Sequence, residues 1–404
     1  MKVLQINATY GYSSTGLIVK DIGNMLVEKG EESFYAYQSC NSTPKNGYRV
    51  GNKFDWKLHA LLCRLSGKQA YYSKLATKKL IKHIEDIKPD IVHLHNLHSN
   101  YVHLNLLLQY LAKVNIATVI TLHDCWYFTG KCFHYADIVC DRFQTGCGNC
   151  PKKKAPPKSL FFDPSIKVLK DRYTYLSKIP RLTLVGCSQW ICGETKKSYL
   201  KDLSIAQIYN GVDVEIFKPY DNTPLRKKYQ LEEDTYVVMG MANKWLLPSN
   251  KKLLTDIVNI LNDKLKLMIV GCKEEQVEQL KGLNEHIIPV GFIKDRVELA
   301  KHYSLANVFV NATHVDTLPT VNMESICCGT PVITYDCCGS PELVLDGCGK
   351  VVAEHEVAEL LLAIKERMGK ISKETLEKAR VKYDKNESYK KYLQIYANTF
   401  KQKD

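Results

Sequence analysis

The sequence predicts an α/β protein built from two doubly wound domains. Three observations carry this. Short apolar runs alternate with helix-period segments through most of the chain. The alternation proceeds to about residue 205 and restarts near 235. A chain of 404 residues has the length for two or three domains, each with its own core. Apolar strands separated by helices imply parallel sheets covered on both faces.

In chain order, KVLQIN opens the first set and leads to a helix with Ile18, Ile22, Met25 and Leu26 on one side and Gly30 as its stop. DIVHLH, ATVITLH and LTLVGCS follow, separated by helical stretches. The join is YNGVDVEIFKP, with a turn-forming Asn-Gly and a Pro. The second set reads YVVMGMA, KLMIVG, IIPVGF, NVFVNAT and PVITYD. The Lys/Glu-rich tail is helical and is expected to pack outside the second sheet. The expected division is 1–205 with a Cys-rich insertion at 125–151, then 206–380, then a helical tail at 381–404.

Net charge is +13, and it is uneven: the first 205 residues carry +14 and the other 199 carry −1. That asymmetry points to an anionic partner for the first half, whether a phosphate-bearing acceptor, a membrane surface or nucleic acid. The start MKVLQINATYGYSSTG has one Lys before strand-like alternation, and no segment approaches the ~18 apolar residues of a membrane span. A cytoplasmic, non-spanning protein is therefore expected. In that compartment most of the fifteen cysteines stay thiols or bind metal.

Ligands of open parallel sheets bind beyond the carboxyl ends of the strands, so the loops there are the candidates. After the first strand, Ser13, Ser14, Thr15 and Gly16 precede a helix whose N–H groups could hold an anion. ATVITL ends in His123-Asp124. In THVDTLPTVNMESICCGTP, Asp316 and Glu324 flank a helix start at Pro319, a pattern suited to a phosphate on free N–H groups and to hydroxyls on the carboxylates. Cys132, Cys140, Cys147 and Cys150 have spacing compatible with four thiolates on a structural zinc, the alternatives being reduced thiols and, last, a redox or catalytic role.

These residues together resemble the family 4 retaining glycosyltransferases. The likeness rests on YNGVDVEIFKP, LANVFVNAT, the Asp316 to Glu324 element and CGTPVITYDCCGSPELV. STGLIVKDI, TLHDCWYFTGKC and CDRFQTGCGNCP resemble the exopolysaccharide and lipopolysaccharide branch. The resemblance implies the GT-B fold, two Rossmann-like doubly wound domains facing a cleft, with the acceptor on the first domain and a UDP- or GDP-sugar on the second. It implies Glu324 on the ribose, Asp316 on the sugar, and the amides of Leu318, Thr320 and Val321 at diphosphate and sugar. It implies His123 near the reacting carbon, Thr15 and Gly16 under the diphosphate, and Phe292, in VGFI, beside the base.

The sequence departs from that pattern in two places. The first acidic residue is Asp316 where Glu is commoner. The basic pair is replaced by MANKWLLPSNKKLL, in which Lys251 aligns with the Lys and Lys244 is a substitute cation. The family uses no catalytic metal. The implied reaction transfers a sugar to a lipid-linked or oligosaccharide acceptor of a surface polysaccharide or capsule, with the enzyme peripheral at the inner face of the plasma membrane and no nucleic-acid partner. Rival readings are a basic zinc-knuckle nucleic-acid-binding protein and a GT-B nucleotide-sugar epimerase.

Overall fold

The computed structural model describes residues 1–402. The chain folds as two units, one of Met1–Tyr209 with Tyr389–Asp404, the other of Asn210–Ser388. The expected boundary at 205 thus moves to 209, and the expected separate tail does not exist as such. Its last helix, Lys385–Lys401, enters the first unit instead of packing outside the second sheet.

In the first unit the strands are β1 (Lys2–Tyr10), β2 (Glu32–Cys40), β3 (Gly47–Arg49), β4 (Ile91–Leu94), β5 (Ala117–Leu122), β6 (Leu182–Gly186) and β7 (Ser204–Gln207). They form one parallel sheet in the order β3-β2-β1-β4-β5-β6-β7. All of β4, β5 and β6 is buried, as expected where helices cover both faces. Helix α1 (Ser13–Glu28) buries Ile18, Ile22, Met25 and Leu26, and Gly30 follows it in the left-handed region at φ 78°.

The redirected tail has a plain cause. Tyr389, Tyr392 and Tyr396 fall three and four residues apart on one side of an otherwise Lys-rich helix, and they join Val3, Ile22, Leu26, Ile91, Val119 and Val185 in the core. Their hydroxyls also satisfy buried polar groups of the strands. The Tyr396 hydroxyl meets His93 Nδ1 at 2.8 Å, and the Tyr392 hydroxyl meets Thr121 Oγ1 at 2.8 Å.

The second unit has β8 (Tyr236–Met241), β9 (Leu265–Cys272), β10 (Ile287–Gly291), β11 (Val308–Asn311), β12 (Val332–Tyr335) and β13 (Gly349–Val352), parallel in the order β10-β9-β8-β11-β12-β13. Its core centres on Trp245, Leu253, Leu267, Ile269, Val310 and Ile333. The indole lies against Gly240, where a Cβ would come within 2.0 Å of Trp245 Nε1, and that nitrogen donates to Val310 O at 2.9 Å.

Strand order reverses between β1 and β4 in one sheet and between β8 and β11 in the other. These switch points open crevices at the carboxyl ends, which is where the chemistry-bearing loops lie. Among the described residues no helix is long and apolar enough to cross a membrane.

Candidate active site

At the first switch point a chain of buried groups fixes one histidine. Gln5 Nε2 on β1 donates to Val19 O at 3.0 Å, which turns Gln5 Oε1 toward His95 Nε2 at 3.2 Å. His95, just past β4, must therefore carry its proton on Nε2. Burial holds its pKa well below the ordinary value, so Nδ1 is a bare acceptor. That acceptor lies 3.0 Å from His123 Nε2, just past β5, and takes its proton in a hydrogen bond. His123 Nδ1 is left as a lone pair, a buried nitrogen with no protein partner. Burial pushes the His123 pKa down to about 4, against the pull of Asp124. His123 is thus a neutral, oriented acceptor at physiological pH.

Asp124 serves the adjoining loop. Its Oδ1 accepts from the Trp126 amide at 2.9 Å and its Oδ2 from His98 Nε2 at 3.1 Å. Burial opposes its charge, but His98 and the Trp126 amide hold its pKa below the usual range. His98 also lines a cavity of about 740 Å³ with Trp56, Arg64, Gln69, Phe133 and Lys158.

Thr15 and Gly16 stand in the first turn of α1. Tyr12 caps that helix without a side-chain hydrogen bond, and no acidic residue occupies the first turn, so its amides face outward unneutralised. Gly16 is a spatial requirement, since a Cβ there would lie 2.7 Å from Thr9 Oγ1. The turn is pinned by Asn7 Nδ2 on Thr9 O at 2.8 Å and by the Gly11 amide on Gly16 O at 3.0 Å.

At the second switch point Lys244, in the short helix Ala242–Trp245 after β8, donates to Thr313 Oγ1 at 2.9 Å and lies 3.8 Å from Asp316 Oδ2. The structure thereby brings the substitute cation to the first acidic residue. Lys251 is exposed at the start of helix Lys251–Val258 and lines a different cavity, of about 540 Å³, with Trp245, Leu247 and Leu254. No contact joins it to Asp316 among those of the described residues.

Helix Thr320–Cys327 begins after Pro319, which offers no side-chain cap, so the amides of Thr320 and Val321 open it unpaired. The Leu318 amide differs from expectation: it donates to Asp316 Oδ1 at 3.2 Å. Shortening Glu to Asp lets the carboxylate fold back on its own turn, and that amide is spent there. Glu324 accepts from the Tyr303 hydroxyl at 3.2 Å; burial raises its pKa, while Arg296 and Tyr303 pull it down. Phe292 is 82% exposed and shares a cavity of about 270 Å³ with Asn243, Gly271 and Val321. An aromatic face left bare beside a helix start is a ready platform for a planar base.

Sequence reasoning missed Gln5, His95, Thr313, Tyr303 and Arg296. Only Arg296 had a signal, as one of two cations, with Lys294, in the loop-to-helix stretch after VGFI.

The cysteine cluster is gathered in part. Cys132 and Cys150 share a thiol hydrogen bond, which pushes Cys150 down to about 6 and Cys132 up. Cys147 Sγ accepts from the Gly130 amide at 3.3 Å. The loop is already held by protein contacts: Gly148 N on Ser165 Oγ at 3.0 Å, Cys150 N on Asp163 Oδ2 at 2.7 Å, and the buried Lys131 on Ala155 O at 2.8 Å. Arg172 stacks 3.8 Å over Trp126 and donates to Thr129 O at 2.6 Å, burial lowering its pKa to about 10. Among the described residues, only His314, Glu354 and His355 form a group of three or more whose ligand atoms lie within 4.8 Å of one another. The four sulfurs with Cys140 are looser than the ~3.8 Å separations that 2.3 Å Zn–S bonds impose.

A family profile described as "Glycosyltransferase Family 4" matches residues 18–216, and one described as "Glycosyl transferases group 1" matches 238–369. The chain belongs to the family 4 glycosyltransferases. Its two parallel sheets are those of the GT-B fold class. This glycosyltransferase is 24% identical over 328 residues to the putative colanic acid biosynthesis glycosyl transferase WcaC of Escherichia coli K12, covering 77% of this chain and 76% of that one. Sucrose-phosphate synthase from Thermosynechococcus elongatus has the same fold, with a TM-score of 0.67 at 16% identity and 99% of each chain covered. Anabaena HepE in complex with UDP gives a TM-score of 0.64 at 14% identity, covering 98% of this chain and 100% of that one.

Proposed function

We propose that this glycosyltransferase moves a sugar, with retention, from a UDP- or GDP-sugar to a lipid-linked intermediate of a surface polysaccharide. The observation that carries the donor half is the grouping at the second switch point: Lys244 on Thr313 and Asp316, an uncapped helix start at 320, and Glu324 one turn further in. A cation plus free N–H groups suits a diphosphate, and the carboxylates suit hydroxyls. The relative WcaC is named for colanic acid, and HepE was solved with UDP. Both names support a nucleotide-sugar donor and a polysaccharide product.

In the reaction the bond from the sugar carbon to the diphosphate breaks, an acceptor oxygen bonds that carbon on the same face, and the acceptor proton passes to the departing diphosphate oxygen. We assign Glu324 to the ribose, Lys244 with the Thr320 and Val321 amides to the diphosphate, and Asp316 to the sugar. Thr15 and Gly16 also serve the diphosphate, Phe292 the base, and His123 Nδ1 a sugar hydroxyl beside the reacting carbon. No protein nucleophile is needed. The work falls to positioning and to donors set in advance.

A donor panel read by release of nucleoside diphosphate tests this. Turnover of a UDP- or GDP-hexose with an acceptor present is expected, and NMR of the product should show the donor's anomeric configuration. No release with any donor overturns the transfer, and epimerised sugar without release gives the epimerase.

We keep a structural zinc on Cys132, Cys140, Cys147 and Cys150 as part of the proposal. Four sulfurs in one loop are the donor type zinc takes, and the ion would draw them in from their looser spacing and brace the segment after His123 without touching substrate. About one zinc per chain is expected in protein purified without chelator. Replacing Cys147 and Cys150 by Ser should lower melting temperature before it lowers turnover. Metal-free, fully active protein would leave the cluster as thiols.

A further inference from the structure

Helix α2 (Lys53–Ser66) carries its apolar residues on the wrong side for a globular protein. Phe54, Leu58, Leu61 and Leu65 recur at intervals of four, three and four, a helical stripe, yet they are 72%, 44%, 52% and 37% exposed. The face turned inward holds His59 and Cys63 instead. Lys53, Lys57 and Arg64 border the outward stripe.

A second exposed element lies against the end of this helix. Leu160, Phe161 and Phe162 are 55%, 64% and 65% exposed. The Leu160 amide donates to Arg64 O at 2.8 Å, which fixes the tip beside α2. The basic run before the tip is only partly available to a partner. Lys152 Nζ is engaged by His134 O and Asp137, and Lys153 Nζ donates to Phe161 O at 2.8 Å. Lys154 and Lys158 are the exposed cations, whereas Lys152 and Lys153 serve the loop's own structure.

We propose that the α2 stripe and the 160–162 tip insert together into the headgroup region of an anionic bilayer, with Lys53, Lys57, Arg64, Lys154 and Lys158 on its phosphates. Solvated proteins scatter single apolar residues; a continuous stripe beside an aromatic tip, rimmed by cations, is the composition of an interfacial membrane anchor, and of the acids nearby Asp55 caps α2, Asp137 is paired with Lys152 and Asp163 is bonded to the Cys150 amide. The rim decides the occupant: cations around an apolar face fit phospholipid, whereas another copy of the chain would set like charges against each other. Each cation near an anionic surface strengthens binding about fivefold, and the apolar face makes the attachment outlast added salt.

This rests on the lipid-linked acceptor reading and gives it an entrance. Arg64 and Lys158 belong both to this face and to the 740 Å³ cavity that reaches His98, and Trp56 forms that cavity's wall from the other side of α2. A lipid diphosphate held at the membrane could pass its sugar into that cavity with its phosphates on Arg64 and Lys158.

The test is flotation of the full chain with vesicles of phosphatidylcholine alone or with one third phosphatidylglycerol, at low and physiological salt. The wild type should float with the anionic vesicles at both salts. Phe54→Ser with Leu58→Ser, and separately Phe161→Ser with Phe162→Ser, should each weaken flotation about tenfold or more. Nucleoside diphosphate binding should be unchanged, which shows folded protein and separates this test from the donor reading. Flotation equal to wild type in both variants, binding abolished by physiological salt, or a wild type that floats with neither vesicle overturns the proposal. So does a wild-type dimer dispersed by the same serines without vesicle binding.

Discussion

Replacing His123 by alanine is expected to lower kcat about 10²-fold or more while leaving nucleoside diphosphate affinity within a few-fold, as for loss of one preorganised hydrogen bond at a reacting centre. The hydrogen-bond chain from Val19 O through Gln5 and His95 leaves His123 one open nitrogen, an acceptor in a fixed direction. Alanine removes the acceptor but nothing in the second unit's nucleotide group. His95→Ala should act more mildly, because it loosens His123 without deleting it, and His95→Gln should recover part of the loss by offering an acceptor again. With its pKa near 4, His123 is neutral above that value and protonates only as pH falls through it, so turnover should carry no histidine-like step between pH 5 and 8 from this residue. Activity within a few-fold of wild type for His123→Ala would make it a structural strand-end histidine.

Glu324→Ala is expected to weaken nucleoside diphosphate binding more than tenfold. A hydrogen bond to a charged acceptor is worth ~1.5–3 kcal/mol, and each 1.4 kcal/mol is about a factor of ten. Calorimetry with UDP and GDP reads this directly, and unchanged affinity would remove the ribose assignment. The pH dependence gives a second check. Burial raises the Glu324 pKa, and only the carboxylate accepts two hydroxyls. Affinity should therefore be full at neutral pH and fall on acidification sooner than an ordinary glutamate would dictate. Glu324→Gln should flatten that profile.

How much of this was legible depends on what each feature leaves in the residues. Nine strands announced themselves as apolar runs, and the switch-point loops followed from their order. β2 did not, because ESFYAYQSC has polar residues at both ends and no aliphatic run between them, and β13 is only GKVV. Asp316, Glu324 and Thr320 were readable because a helix start after Pro leaves a local signature. The fate of the Leu318 amide was not, since it turns on which way one short carboxylate folds. Lys244 could be proposed as a cation, but its bond to Thr313 spans 69 residues and no local pattern encodes it. Gln5 and His95 are 90 apart, and each reads singly as a polar residue inside a strand run or at its end. The outward stripe of α2 has helical periodicity, but periodicity does not say which side faces water.

The return of helix Lys385–Lys401 to the first sheet sets a timetable for biosynthesis. The seven strands that make the first unit leave the ribosome early, yet Tyr389, Tyr392 and Tyr396 belong to their core. Until those tyrosines emerge, His93 Nδ1 and Thr121 Oγ1 lack their tyrosine partners and the apolar surface around Val3, Val119 and Val185 lies open. The second unit, continuous from Asn210 to Ser388, has no such debt and can close first. Completion of the first domain's core therefore waits on residues made after the whole of the second unit.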